Sequence, residues 1–136
     1  MYRLMGIDFG EVRIGIALSD PLQIISKPFV VLQNTDDEIL WEELLKIIEE
    51  RQVGKIILGL PLNLKGKDTK KTLEVREFAK ILKDKINIPL VFHDERYSSV
   101  DANDALKSMG YNVRESRKVI DKIAASIILK NYMAGR

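Results

Sequence analysis

A chain of 136 residues with 46% apolar and 31% charged residues has the size and make-up of one globular domain spanning residues 1–136. No apolar run approaches the roughly 18 residues that a membrane span requires, and no basic-then-apolar leader opens the sequence. The lack of Cys excludes disulfides, thiolate zinc sites and Cys nucleophiles, so a cytoplasmic protein without a membrane partner is expected.

The chain opens with two strands joined by a short turn, between Leu4 and Asp20. Leu4, Gly6 and Asp8 share one face of the first strand, and Met5, Ile7 and Phe9 share the other. After Gly10, Ile14, Ile16 and Leu18 alternate with Arg13, Gly15 and Ala17, which is a hairpin signal. A third strand follows at Phe29–Leu32. Thr35 and Glu38 form a capping-box pattern ahead of a helix that runs to about Arg51, with Trp41 on its apolar stripe.

The run K-I-I-L-G-L-P after Gly54 reads as a parallel strand buried on both faces. A polar, basic loop over Pro61–Asp68 leads to a second helix from Asp68 or Thr69 to about Ile86. Leu90–Phe92 forms another buried strand that ends at His93-Asp94-Glu95-Arg96. A third helix is expected from Ser98 or Ser99 to Gly110. The loop Tyr111–Ser116 then leads to a last helix, striped by Val119, Ile120, Ile123, Ala124, Ile127 and Ile128. This order predicts an α/β fold, a mixed sheet with helices on its faces.

Three acidic sites stand where packing does not ask for acids: Asp8 within an apolar strand, Asp94 and Glu95 after the last strand, and Asp121 on an apolar helix. Each has an ordinary alternative, respectively a turn bond at Gly10, an ion pair with Arg96, and a solvent-facing position. Together they fit the rule that functional groups gather beyond the carboxyl ends of the strands of an open sheet. That grouping requires the first strand to neighbour Leu90–Phe92. An oxygen-only donor set favours Mg²⁺ or Mn²⁺ over zinc. Two such ions stabilise the attacking and leaving oxygens in phosphodiester cleavage.

Charge is unevenly spread. Residues 1–60 hold 6 Lys/Arg against 10 Asp/Glu, and residues 61–136 hold 16 against 10. An anionic partner such as nucleic acid fits the basic half. Arg13, Arg96 and Lys118 are candidate phosphate contacts. The loop G-L-P-L-N-L-K-G lacks Walker spacing, and within it Asn63 is the candidate polar contact with substrate.

Four blocks, G-I-D-F-G-E-V-R-I-G-I-A-L-S-D, G-L-P-L-N-L-K-G, H-D-E-R-Y-S-S and D-K-I-A-A-S-I-I-L, resemble the YqgF/RuvX family. Its members are Holliday-junction-resolvase-like proteins also described as pre-16S rRNA nucleases. The resemblance covers nearly the whole chain. It implies an RNase H-like fold with a five-stranded mixed sheet in the order 3-2-1-4-5. It also implies a divalent-metal nuclease, with Asp8, Glu95 and Asp121 as catalytic, metal-holding acids. The cellular role it implies is maturation of the 5′ end of 16S rRNA, with pre-ribosomal particles as partners. Resolution of DNA junctions is the family's older label. True junction resolvases resemble one another in a second helix acid one turn on, and here that position is Ala124.

Two other classes compete. Actin-like and sugar-kinase ATPases share the D-x-G hairpin, but they need two such domains and 136 residues hold one. A non-catalytic nucleic-acid-binding factor would use the basic clusters alone. Such a binder has no use for three carboxylates that repel phosphate, so the enzyme is the preferred expectation.

Overall fold

The computed structural model describes residues 1–95 and 113–136, with side chains from 120 onward in the second segment. Five strands, β1 (Arg3–Phe9), β2 (Arg13–Ser19), β3 (Ser26–Gln33), β4 (Val53–Leu60) and β5 (Leu90–Asp94), form one sheet in the order β3-β2-β1-β4-β5. β1–β2 and β2–β3 are antiparallel, whereas β1–β4 and β4–β5 are parallel. The described helices are α1 (Glu38–Glu50), α2 (Lys70–Lys85) and α3 (Val113–Gly135). This is the expected mixed sheet with the expected strand order.

The two faces of the sheet are packed differently. Met5 and Ile7 of β1, Ile14 and Ile16 of β2 and Ile56 and Leu58 of β4 point to one side. There they meet Leu40 and Leu44 of α1 and Val75, Phe78 and Leu82 of α2. Period-2 alternation sends Leu4, Gly6 and Asp8 to the opposite face, where Leu4, Ala17 and Ile57 pack against Ala125, Ile128 and Leu129 of α3.

That second face is lined with glycine, and α3 lies almost on the sheet backbone. A Cβ on Gly15 would stand 1.9 Å from the Asp121 carbonyl oxygen, and one on Gly6 would stand 2.7 Å from that of Ala125. Neither position admits a side chain without moving the helix.

Element boundaries differ from expectation in a few places, each with a local cause. β3 begins at Ser26, because a bulge opposite Ile16 and Ala17 takes Pro28 into an edge strand. Asp37, not Thr35, caps α1: its carboxylate accepts from Ile39 N at 3.0 Å and from the Thr35 hydroxyl at 2.5 Å. α2 begins as expected behind Thr69, in a reciprocal cap with Thr72. Trp41 is half-buried, stacked on Phe78 with ring centres 5.3 Å apart. α3 starts at Val113, inside the expected loop. The helix expected from Ser98 or Ser99 to Gly110 lies outside the described residues.

Replacing Gly15 with Ala sets a methyl group against backbone, which has no rotamer with which to yield. Gly15→Ala is expected to cost about 2–3 kcal/mol, at the upper end of overpacking penalties. Urea unfolding should show a lower midpoint with an unchanged slope, and a midpoint equal to wild type would contradict the close approach of α3.

Candidate active site

The acids assemble because three elements end, or pass closest, at one end of the sheet. Asp8 lies near the carboxyl end of β1 on the α3 face, paired across the ladder with Gly15. The Asp121 backbone sits over Gly15, so the glycine gap places Asp121 next to Asp8. The two carboxylates are close enough for the Asp121 charge to disfavour ionisation of Asp8.

Glu95 arrives by another route. β1 does not neighbour β5, as the sequence-based grouping required, because β4 lies between them. The gap is crossed over Gly59, where a Cβ would stand 2.6 Å from Glu95 Oε2. Glu95 N donates to the Leu60 carbonyl at 3.2 Å, which holds the residue just past the end of β5. Asp94, its neighbour at that end, is exposed.

Electrostatics mark Asp8 and Glu95 as a strained pair. Asp8 is pushed up to about 6, first by desolvation and then by Asp121, against the lowering effect of Lys71. Glu95 is pushed up to about 7 by desolvation, then by Asp8 and by Asp94, and is again eased by Lys71. Lys71 sits in the first turn of α2. That turn is fixed by the Thr69–Thr72 cap and by the bond from the buried Thr72 hydroxyl to the Pro61 carbonyl.

A cleft of about 490 Å³ adjoins these acids, lined by Gly10, Glu11, Val12, Arg13, Lys70, Lys71, Glu74 and Asp121. Arg13 Nε donates to Asp121 Oδ2 at 2.9 Å, an ion pair whose side chains are 46% and 21% exposed. Among the described residues, no three His, Cys, Asp or Glu side chains form a ready-made metal cage. The donor chemistry nevertheless suits a hard divalent cation: the acids are carboxylates, and two of them are destabilised by burial and by negative neighbours.

The other candidates are placed differently. Asn63 organises its own loop, its Oδ1 accepting from Lys65 N at 3.0 Å and Lys67 N at 2.9 Å. It does not line the cleft. Arg96 lies outside the described residues, and Lys118 is on α3 where side chains are not described. Lys71 is the residue that sequence reasoning passed over. It falls within the expected second helix, and nothing in its local sequence reveals that α2 turns it toward the acids.

With this geometry established, known proteins give it a family. The model of the RuvX family, described as Holliday junction resolvase, matches residues 2–135. The chain belongs to the RuvX family. It is 44% identical over 132 residues to a protein of Maridesulfovibrio salexigens, covering 97% of this chain and 98% of that one. A protein of Syntrophomonas wolfei is 42% identical, with 98% of this chain and 94% of the relative covered. Both bear the name "Putative pre-16S rRNA nuclease".

Among solved structures, RuvC of T. thermophilus in complex with a Holliday junction substrate superposes with a TM-score of 0.61 at 10% identity. It covers 98% of this chain and 97% of that one. The Fowlpox virus resolvase in complex with junction DNA reaches 0.61 at 13%, with the same coverage. The RuvX chain therefore has the RNase H-like fold of these resolvases, with the 3-2-1-4-5 sheet.

The raised acids carry a stability signature. The ordinary values are 3.8 for Asp8 and 4.5 for Glu95, so in metal-free buffer the folded chain holds protons that the unfolded chain releases. Stability is therefore full below about pH 4 and falls as pH rises to about 7. Asp8→Asn, uncharged throughout, should melt above wild type at pH 8 and level with it at pH 4. Parallel melting profiles would show that Asp8 is not held above its ordinary range.

Proposed function

We propose that this RuvX chain is a divalent-metal-dependent nuclease that hydrolyses phosphodiester bonds, with the 5′ end of the 16S rRNA precursor as its substrate. The observation that carries the reading is the meeting of Asp8, Glu95 and Asp121 beside a cleft whose walls bear Arg13, Lys70 and Lys71. Carboxylates turned toward a phosphate-binding cleft repel the substrate unless a cation stands between them. The rRNA assignment follows the names borne by relatives at 42–44% identity.

In this reading Asp8, Glu95 and Asp121 hold Mg²⁺ or Mn²⁺. When bound, the ions stabilise the attacking and leaving oxygens of an in-line displacement. The chain's own residues do the rest. Lys71 and Arg13 draw the phosphate into the cleft and orient it, with Arg96 and Lys118 as further phosphate contacts. The Pro61–Asp68 loop, set by Asn63, presents Lys65 and Lys67 to the flanking strand. The reading places the protein in the cytoplasm, at pre-ribosomal particles.

Junction DNA is the second reading, favoured by the RuvC and Fowlpox folds. Against it, α3 offers Ala124 one turn after Asp121, so the helix brings one acid rather than two.

Asp8→Asn removes a ligand and a negative charge together. Cleavage of a labelled 16S rRNA precursor in Mg²⁺ or Mn²⁺ should fall by more than about a hundredfold, because even residues that only support a ligand cost 10- to 100-fold. Binding of the same RNA in chelator should hold or tighten. Cleavage at the wild-type rate would remove Asp8 from the chemistry, and preferred cutting of junction DNA would transfer the assignment to that substrate.

A further inference from the structure

Among the described residues, Asp121 is the one acid of the three in a direct ion pair with a cation. Its partner is placed by the same backbone that places the acid. Arg13 opens β2, two residues before Gly15, so strand alternation sets its side chain on the α3 face beside the glycine under Asp121. Nε then meets Asp121 Oδ2 at 2.9 Å on the wall of the cleft.

We propose that Arg13 is a latch on the third acid: it holds Asp121 in the metal-free cleft and gives it up when a divalent cation enters, which frees the guanidinium for the incoming phosphate. The inference rests on the metal-nuclease reading above.

The magnitudes suit exchange rather than locking. Both partners are partly exposed, and ion pairs of that kind are worth little, so the contact yields to a divalent ion held by several carboxylates. Linkage then requires metal and latch to oppose one another: whatever the Arg13 contact gives Asp121, the metal must overcome. By the same rule metal and phosphate assist one another, since release of Arg13 supplies a bidentate phosphate donor just as the acids are neutralised. Lys71 cannot replace it, because it approaches from α2 and acts on Asp8 and Glu95.

The test is a titration of the metal-free protein with Mn²⁺ followed by calorimetry, on wild type, Arg13→Gln and Arg13→Lys. Folding of each is checked by circular dichroism. The latch predicts that Arg13→Gln binds Mn²⁺ about two- to fivefold more tightly than wild type, the range open to a partly exposed ion pair. Arg13→Lys should fall between them. With all three acids intact and a labelled rRNA precursor fragment made non-hydrolysable, Mn²⁺ should tighten binding less when Arg13 is Gln than when it is Arg, and equal tightening would overturn the release of Arg13 to phosphate.

Mn²⁺ affinity in Arg13→Gln that equals or falls below wild type overturns the latch and leaves the nuclease reading standing. A wild type that binds no Mn²⁺ overturns the metal reading, and the latch with it.

Discussion

The close approach of α3 to the sheet decides what this molecule can do. A helix carried at the usual distance by Leu and Ile side chains would place the Asp121 backbone too far from β1 for its carboxylate to act on Asp8. Gly6 and Gly15 remove that spacing, and the helix carbonyls lie where Cβ atoms would otherwise be. Gly59 performs the same service on the next strand, opening a path for Glu95 across β4. Glycine weakens a strand, both through entropy and through lost packing. The face of the sheet that carries the chemistry accepts that cost, while the opposite face is a continuous aliphatic core against α1 and α2.

Electrostatics follow from the same approach. Gathering three acids at a partly buried sheet end raises Asp8 and Glu95, and the chain answers with cations drawn from separate elements: Lys71 from the capped start of α2, and Arg13 from the start of β2. Neither neutralises the group completely. The residual strain is the physical reason that a divalent cation suits the cleft, and the surrounding basic residues make the same cleft attractive to phosphate.

Much of this was legible in the sequence. The alternation around Asp8 gave the correct face, and the sheet order came with the family resemblance. Asp8 and Asp121 stood out because each interrupted an apolar pattern, and Glu95 because it followed, with Asp94, the end of a buried strand. Other features depend on three-dimensional placement and leave no local trace. The route of Glu95 over Gly59 could not be read, because the acid and the glycine are 36 positions apart and β4 intervenes between β1 and β5. Lys71 looked like one more lysine at a helix start, and only the orientation of α2 turns it toward the acids. Asp37 displaced Thr35 as the cap of α1 because two side chains competed for one helix start, and geometry chose between them.

Asp8 and Glu95 are part-buried carboxyls, each raised first by desolvation and then by a neighbouring carboxylate, and a divalent cation relieves them. Carboxyl-carbon NMR titration of the two residues, with and without saturating Mg²⁺, tests this directly. The account predicts metal-free midpoints of about 6 and about 7, both falling well into the ordinary carboxylate range when Mg²⁺ is added. Midpoints near 4 in the metal-free protein, unmoved by Mg²⁺, would contradict it.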